Sequence, residues 1–170
     1  DTDAFVAIYS QNGGFDTAFS VGGPLADAGN ALTMGNGLYI TGSFEGTVDF
    51  GPLGATFTCT GSQPGNYCLR TSNGGKDIFV ARYRIGTGFG ELLHLYTIGS
   101  SLDDEGLDLE VDLKDSLYFV GYFQDWVDKN PGNSPINSQN DTLVSYGGKD
   151  ALLMKMTTFC FPIWIQQIGG

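Results

Sequence analysis

The sequence predicts an all-β fold built from repeated four-stranded antiparallel units, and three observations carry that prediction. One stretch recurs: Asp3-Ala4-Phe5-Val6-Ala7-Ile8-Tyr9, then Gly74-Gly75-Lys76-Asp77-Ile78-Phe79-Val80-Ala81-Arg82-Tyr83, then Gly147-Gly148-Lys149-Asp150-Ala151-Leu152-Leu153-Met154-Lys155-Met156. Its aspartates stand 74 and then 73 residues apart, and a fixed period means one supersecondary unit stacked several times. Short β-rich runs separated by glycine turns fill each period, and no segment has a sustained 3.6-residue apolar period or a helix cap.

The elements follow in order. Residues 4–10 alternate and turn at Gln11-Asn12-Gly13-Gly14 into a partner strand over 15–21, which stops at Gly22-Gly23-Pro24. A strand around Ala31–Met34 turns at Gly35-Asn36-Gly37 into Leu38–Phe44, and Thr47-Val48-Asp49-Phe50-Gly51 reads as an edge extension. The second copy repeats the plan. Asp77–Arg84, a turn at 86–90 and Glu91–Ile98 form one pair; Leu107–Leu113 and Leu117–Phe123 form the next. Val127-Asp128 follows Phe123 at the offset at which Val48-Asp49 follows Phe44. The third copy runs Asp150–Met156, loops through Pro162 and returns over Ile163–Ile168.

Four short strands per period with glycine breaks fit one blade of a β-propeller. The expected order, from the inside out, is Leu107–Leu113, Leu117–Phe123, Asp150–Met156, Ile163–Ile168. On that phasing residues 1–30 are the outer hairpin of a preceding blade. Residues 31–98 are a full blade with an insert at about 45–73, and residues 99–170 a second with an insert at about 124–146. Three outer hairpins against two inner ones cannot close a ring, since propellers use at least about four blades. The expectation is a piece of a longer chain or assembly.

These motifs resemble the bacterial β-propeller repeat family often called SBBP. Asp3-Ala-Phe-Val-Ala7 and Asp77-Ile-Phe-Val-Ala-Arg82 match its opening strand, with Asp150-Ala-Leu-Leu-Met-Lys155 a weaker copy. Gly35-Asn36-Gly37-Leu38-Tyr39-Ile40-Thr41-Gly42 and Thr47-Val48-Asp49-Phe50-Gly51 match its inner strand and extension, Ser116–Gly121 loosely, and Trp164 stands at its usual strand tryptophan. Longer inserts at about 52–72 and 125–143 depart from the family's spacing. The resemblance implies secreted or cell-surface bacterial proteins that carry no recognised catalytic motif.

Composition narrows the partners. The formal charge is −11, from 19 acidic and 8 basic residues, which argues against nucleic acid and against docking on an anionic membrane. Carboxylates in excess suit solubility in salty or extracellular surroundings, or the holding of divalent cations. No apolar run of about 18 residues is present, so no membrane insertion is expected. Cys59 and Cys68 flank a turn-rich loop that a disulfide would close, in an oxidising compartment; two free thiols are the alternative. Cys160 is left over as a partly buried thiol with no basic neighbour visible to activate it.

No catalytic set emerges. His94 is the sole histidine, on an alternating strand with Leu92 and Tyr96, and no serine stands in Gly-x-Ser-x-Gly. No cofactor is implied. The acidic run 103–112 is the one unusual charge feature. Alternation puts Asp108, Glu110 and Asp112 on one strand face, opposite Leu107, Leu109 and Val111. With Asp104 these carboxylates form a candidate calcium set, although the EF-hand order is absent. Asp104 aligns with Asp27, which points instead to turn capping, and a solvated acidic patch is the third reading. Asp3, Asp77 and Asp150 are expected to accept backbone N–H groups of the preceding glycine turn. Tyr67, Trp126 and Tyr146 lie in or beside the inserts, where they would cover the blade edge or bind sugar or protein. Asn140-Asp141-Thr142 is a formal N-glycosylation sequon.

The function expected from sequence is a non-catalytic propeller segment of a secreted or cell-surface bacterial protein, acting in adhesion, protein interaction or surface assembly. Its partners would be proteins or further blades, with glycans as a second class. One alternative is a structural subunit of an extracellular filament or ring. Another is a glycan hydrolase or lyase using carboxylates at the propeller mouth.

Overall fold

A computed structural model describes residues 2–51, 68–86, 90–129 and 142–170. Among these residues there are twelve strands and no helix. The first pair is β1 (Ala4–Tyr9) and β2 (Phe15–Val21), antiparallel and joined by a tight turn. Gly13 takes φ +79° there, which glycine adopts without strain, while Ser10 N–H bonds to Gly14 O and Gly13 N–H to Ser10 O.

Next come β3 (Ala28–Met34), β4 (Leu38–Asp49), β5 (Leu69–Tyr83) and β6 (Leu92–Ile98), hydrogen-bonded in that order as one antiparallel sheet. A second sheet of four is ordered β7 (Glu105–Val111), β8 (Leu117–Phe123), β11 (Asp150–Met156), β12 (Pro162–Ile168). This is the strand order read from the sequence. Between β8 and β11 lies a small pair, β9 (Trp126–Asp128) and β10 (Thr142–Val144). It is the counterpart of the far end of β4, where Thr47–Asp49 pairs with Leu69–Thr71. Val48 and Val127 hold the same buried place in the two.

The three layers pack face to face, and burial explains which residues each strand needs. Leu38, Ile40, Phe79, Ala81 and Tyr83 face the β1–β2 hairpin, together with Val6, Phe19 and Val21. The alternate residues Tyr39, Ile78 and Val80 face the second sheet, against Leu109, Phe119, Leu152 and Met154. The middle sheet is thus covered on both sides, so Asp77–Tyr83 is buried at every position. The second sheet is covered on one side, and β11 alternates buried with half-buried residues.

Two glycine pairs let the inner strands approach. Gly29 pairs with Gly42 and Gly106 with Gly121, and each pair is followed by a bulge, at Asn30 in β3 and at Leu107 in β7. A Cβ at Gly42 would overlap Ala28 O, and one at Gly121 would overlap Glu105 O.

The bulge corrects the expected span of Leu107–Leu113. The strand runs from Glu105 to Val111, Leu107 is exposed rather than sharing the buried face of Leu109, and Leu113 lies outside in the turn. An extra residue shifts the alternation by one, which reading period 2 from the sequence cannot anticipate.

Candidate functional site

The chemistry-bearing side chains concentrate where one sheet hands over to the next. At the first junction Asp27 N–H donates to Thr2 O at 2.7 Å, and the Asp27 carboxylate accepts from Gly23 N–H at 2.7 Å and Glu45 N–H at 3.1 Å. At the second, Asp104 N–H donates to Lys76 O at 2.7 Å, and its carboxylate accepts from Ser100 N–H and, at 2.7 Å, from Gln124 N–H. The two sites superimpose term by term. Each aspartate ties the incoming connector to the second strand of its own sheet or the residue just past it, and to the residue just before a repeated aspartate, Thr2 ahead of Asp3 and Lys76 ahead of Asp77. Burial pushes the pKa of both carboxyls up, and the backbone N–H donors oppose the rise.

The repeated Asp77 and Asp150 do a related task. Asp77 accepts Asn73 N–H at 3.1 Å, and Asp150 accepts Tyr146 N–H at 3.0 Å. The donors are the residues just before the Gly-Gly pair, not the glycines named from sequence. A Cβ at Gly22, Gly99 or Gly169 would overlap the carboxylate of Asp3, Asp77 or Asp150 respectively. Each aspartate therefore sits over the glycine that ends its hairpin. Asp77 is buried. Burial pushes its carboxyl up to about 7, with Asp104 adding like-charge repulsion against one opposing backbone bond, and Oδ1 is left without a partner.

The four carboxylates proposed for calcium do not converge. Asp104 is fully buried and engaged with backbone N–H groups, as above. Asp108 and Glu110 are exposed on β7; Asp108 accepts Leu109 N–H at 2.8 Å, and Glu110 meets Thr33 Oγ1 at 3.4 Å. Asp112 is not in the strand at all. It caps the following turn, accepting Lys114 N–H at 2.8 Å and Ser116 N–H at 2.9 Å, and the Ser116 bond holds its carboxyl below the ordinary value. Among the described residues no group of three or more His, Cys, Asp and Glu side chains is placed to hold a metal ion.

One cluster was not legible in the sequence. Arg82 is buried, donates to Asn36 O at 2.6 Å and Thr158 O at 3.2 Å, and lies 5.7 Å from the Tyr39 ring centroid. Tyr39 OH reaches Asn36 Oδ1 at 2.6 Å. Cys160 lies beside this group. The structure corrects two expectations for it: the thiol is fully buried, and Arg82 is a basic neighbour. Burial still dominates, pushing the thiol up to about 12 and keeping it inert. His94 is half-buried, edge-on to Phe159 at 5.0 Å, with its pKa lowered by burial and by Arg82. It packs the junction and has no carboxylate or nucleophile among its described contacts.

Cys59 and Tyr67 lie outside the described residues, as does most of each insert, so the Cys59–Cys68 pairing falls there too; Cys68 itself is buried beside Gly51. The sequon residues Asn140 and Asp141 are likewise outside. Trp126 and Tyr146 are exposed. No described helix is long and apolar enough to cross a membrane. In comparison with known proteins, the chain matches no family model and no curated protein.

Proposed function

We propose that this chain is a non-catalytic segment of a β-propeller, belonging to a secreted or cell-surface bacterial protein and acting in adhesion, protein interaction or surface assembly. One observation carries the reading: β3 and β7 run side by side in the same direction. Asn30 Nδ2 donates to Gly106 O at 2.8 Å, Thr33 meets Glu110, and Gly35 lies against Val111. Most of the near backbone approaches between the two sheets are made by β7, against β3, β4 and β5. Sheets that converge at their first strands form wedges about an axis, as propeller blades do. On this reading residues 1–30 are an outer hairpin, and residues 31–98 and 99–170 are two blades.

The non-catalytic part is supported by how the buried carboxylates are used. Asp27, Asp77, Asp104 and Asp150 each accept backbone N–H groups, so they serve the junctions. The resemblance of the repeat to the SBBP family points the same way. A second reading, a subunit of a filament or ring, is favoured by exposed apolar side chains at both ends of the stack. Phe5, Tyr9 and Phe15 lie at one end, and Ile163, Trp164 and Ile168 at the other. The purified chain is expected to leave a panel of glycans uncleaved. Hydrolysis or elimination that disappears on substitution of a carboxylate would defeat the proposal. Solution mass separates the two remaining readings, because a filament subunit forms large assemblies and a lone segment does not.

A further inference from the structure

The three copies of the repeat are not equally covered, and the differences point to what is missing beside the first. Counting from the repeated aspartates, Phe5 corresponds to Phe79 and Leu152, and Tyr9 to Tyr83 and Met156. Phe79 and Leu152 are 2% and 0% exposed, whereas Phe5 is 77% exposed; Tyr83 and Met156 are 0% exposed, whereas Tyr9 is 60%. Counting from Asp27 and Asp104, Leu32 corresponds to Leu109, and their exposures are 59% and 3%. The glycines agree. A Cβ at Gly106 would overlap Thr41 of the preceding sheet, whereas at Gly29 it would make only ordinary contacts, with Ala4 at 3.4 Å and Ile40 at 3.9 Å. Between β1 and β3 lies a cleft of about 190 Å³, lined by Phe5, Val6, Asn30, Leu32 and Ile40 among others.

In both complete sheets the preceding layer buries this apolar face, and the second strand of the same sheet takes the inner edge of the repeated strand. β5 pairs with β4 and β11 with β8, antiparallel, so that Gly42 stands opposite Phe79 and Gly121 opposite Leu152. Among the described residues β1 pairs only with β2. We infer that the free edge of β1, with the apolar face of β3 beside it, is the docking site for one more inner β-hairpin of the β3–β4 type, seated antiparallel with a glycine opposite Phe5. The cleft is the space its side chains fill. The same hairpin brings its first strand alongside β3, as β7 lies alongside it on the other side. Among the described residues a second folded copy of this chain has no such hairpin to spare, because β3–β4 and β7–β8 are each already paired in their own sheets. The occupant is therefore a further polypeptide segment of this repeat pattern with its inner hairpin unpaired. The inference rests on the propeller reading and specifies the edge, the register and the class of its partner.

The test uses the full chain and a fluorescent synthetic peptide with the sequence of residues 27–45. Saturable binding is expected, with new hydrogen-exchange protection on the β1 amides. Phe5→Glu and Leu32→Glu are each expected to weaken binding at least tenfold. Both residues are exposed in the free chain, so both variants fold, as their unchanged melting would verify. Because an isolated hairpin is marginally stable in water, the same sequence is also tethered ahead of Asp1 through a flexible Gly/Ser linker. This raises its local concentration into the millimolar range. Equal binding by wild type and both variants, protection of β12 instead of β1, self-association of the chain through β1 without peptide uptake, or no β1 protection even from the tethered copy would each overturn the inference. Magnetisation transfer between Gly35 and the Val111 methyls tests the propeller reading separately. If those signals are present and no hairpin docks, the propeller reading stands and this inference falls.

Discussion

Asp77 is a carboxyl whose protonation the fold itself controls. It lies under Gly99, accepts one backbone N–H from Asn73 and leaves Oδ1 without a partner, so burial raises its pKa from 3.8 to about 7. Between those two values the folded chain binds a proton that the unfolded chain has released. Its stability contribution is full below about pH 4 and is lost as pH rises through about 7. One pKa unit corresponds to about 1.4 kcal/mol, so the ceiling across this window is about 4 kcal/mol. Asp77→Asn keeps an acceptor for Asn73 N–H and cannot ionise. It is expected to resemble the wild type near pH 4 and to gain on it steadily towards pH 7.5. Urea denaturation of both proteins at half-unit steps measures the difference. Two stability curves that run parallel over this range would refute the burial argument. Asp27 and Asp104, also raised by burial, leave a residual slope of the same sign in the variant.

Three further outcomes follow from packing and thiol chemistry. Leu109→Ala, in the interface between sheets, is expected to cost roughly 2–5 kcal/mol, while Leu32→Ala at the equivalent exposed position changes stability by no more than about 0.5 kcal/mol. Equal effects would mean that the two sheets do not meet as described. Gly121→Ala forces a Cβ against Glu105 O and should destabilise by about 1–3 kcal/mol, seen as a lowered thermal midpoint; an unchanged midpoint would contradict the close approach of β7 and β8. If Cys59 and Cys68 are bridged, the denatured, unreduced chain titrates one thiol, that of Cys160, and three after reduction. Three thiols before reduction would remove the bridge.

Much of the architecture was legible because the repeat prints the same solution more than once. The period of the aspartates, the Gly-Gly turns and the alternation in β8 and β11 gave the strands and their order in the second sheet. The correspondence of Asp27 with Asp104 gave a turn-capping role that the structure bears out at both positions. What failed was local. The bulge at Leu107 takes that leucine off the buried face, and the strand stops at Val111, so Asp108 and Glu110 keep their expected exposed face while Asp112 falls in the turn. What sequence could not supply was proximity between layers. Arg82 and Cys160 are 78 residues apart in the chain, and nothing about either residue announces that they meet. The burial of Asp77, and with it the raised pKa, depends on a glycine 22 residues later whose role is visible only once the hairpin has closed.

The central claim is that successive sheets converge at β3 and β7, running side by side in one direction. A nuclear Overhauser spectrum of the methyl-labelled chain tests it most directly. The account predicts cross-peaks from Val111 methyls to Gly35 Hα, and from the Asn30 side-chain amide to Gly106 Hα. Assigned Val111 methyls with no contact to β3, or contacts that place β7 against it in the opposite direction, would contradict the claim.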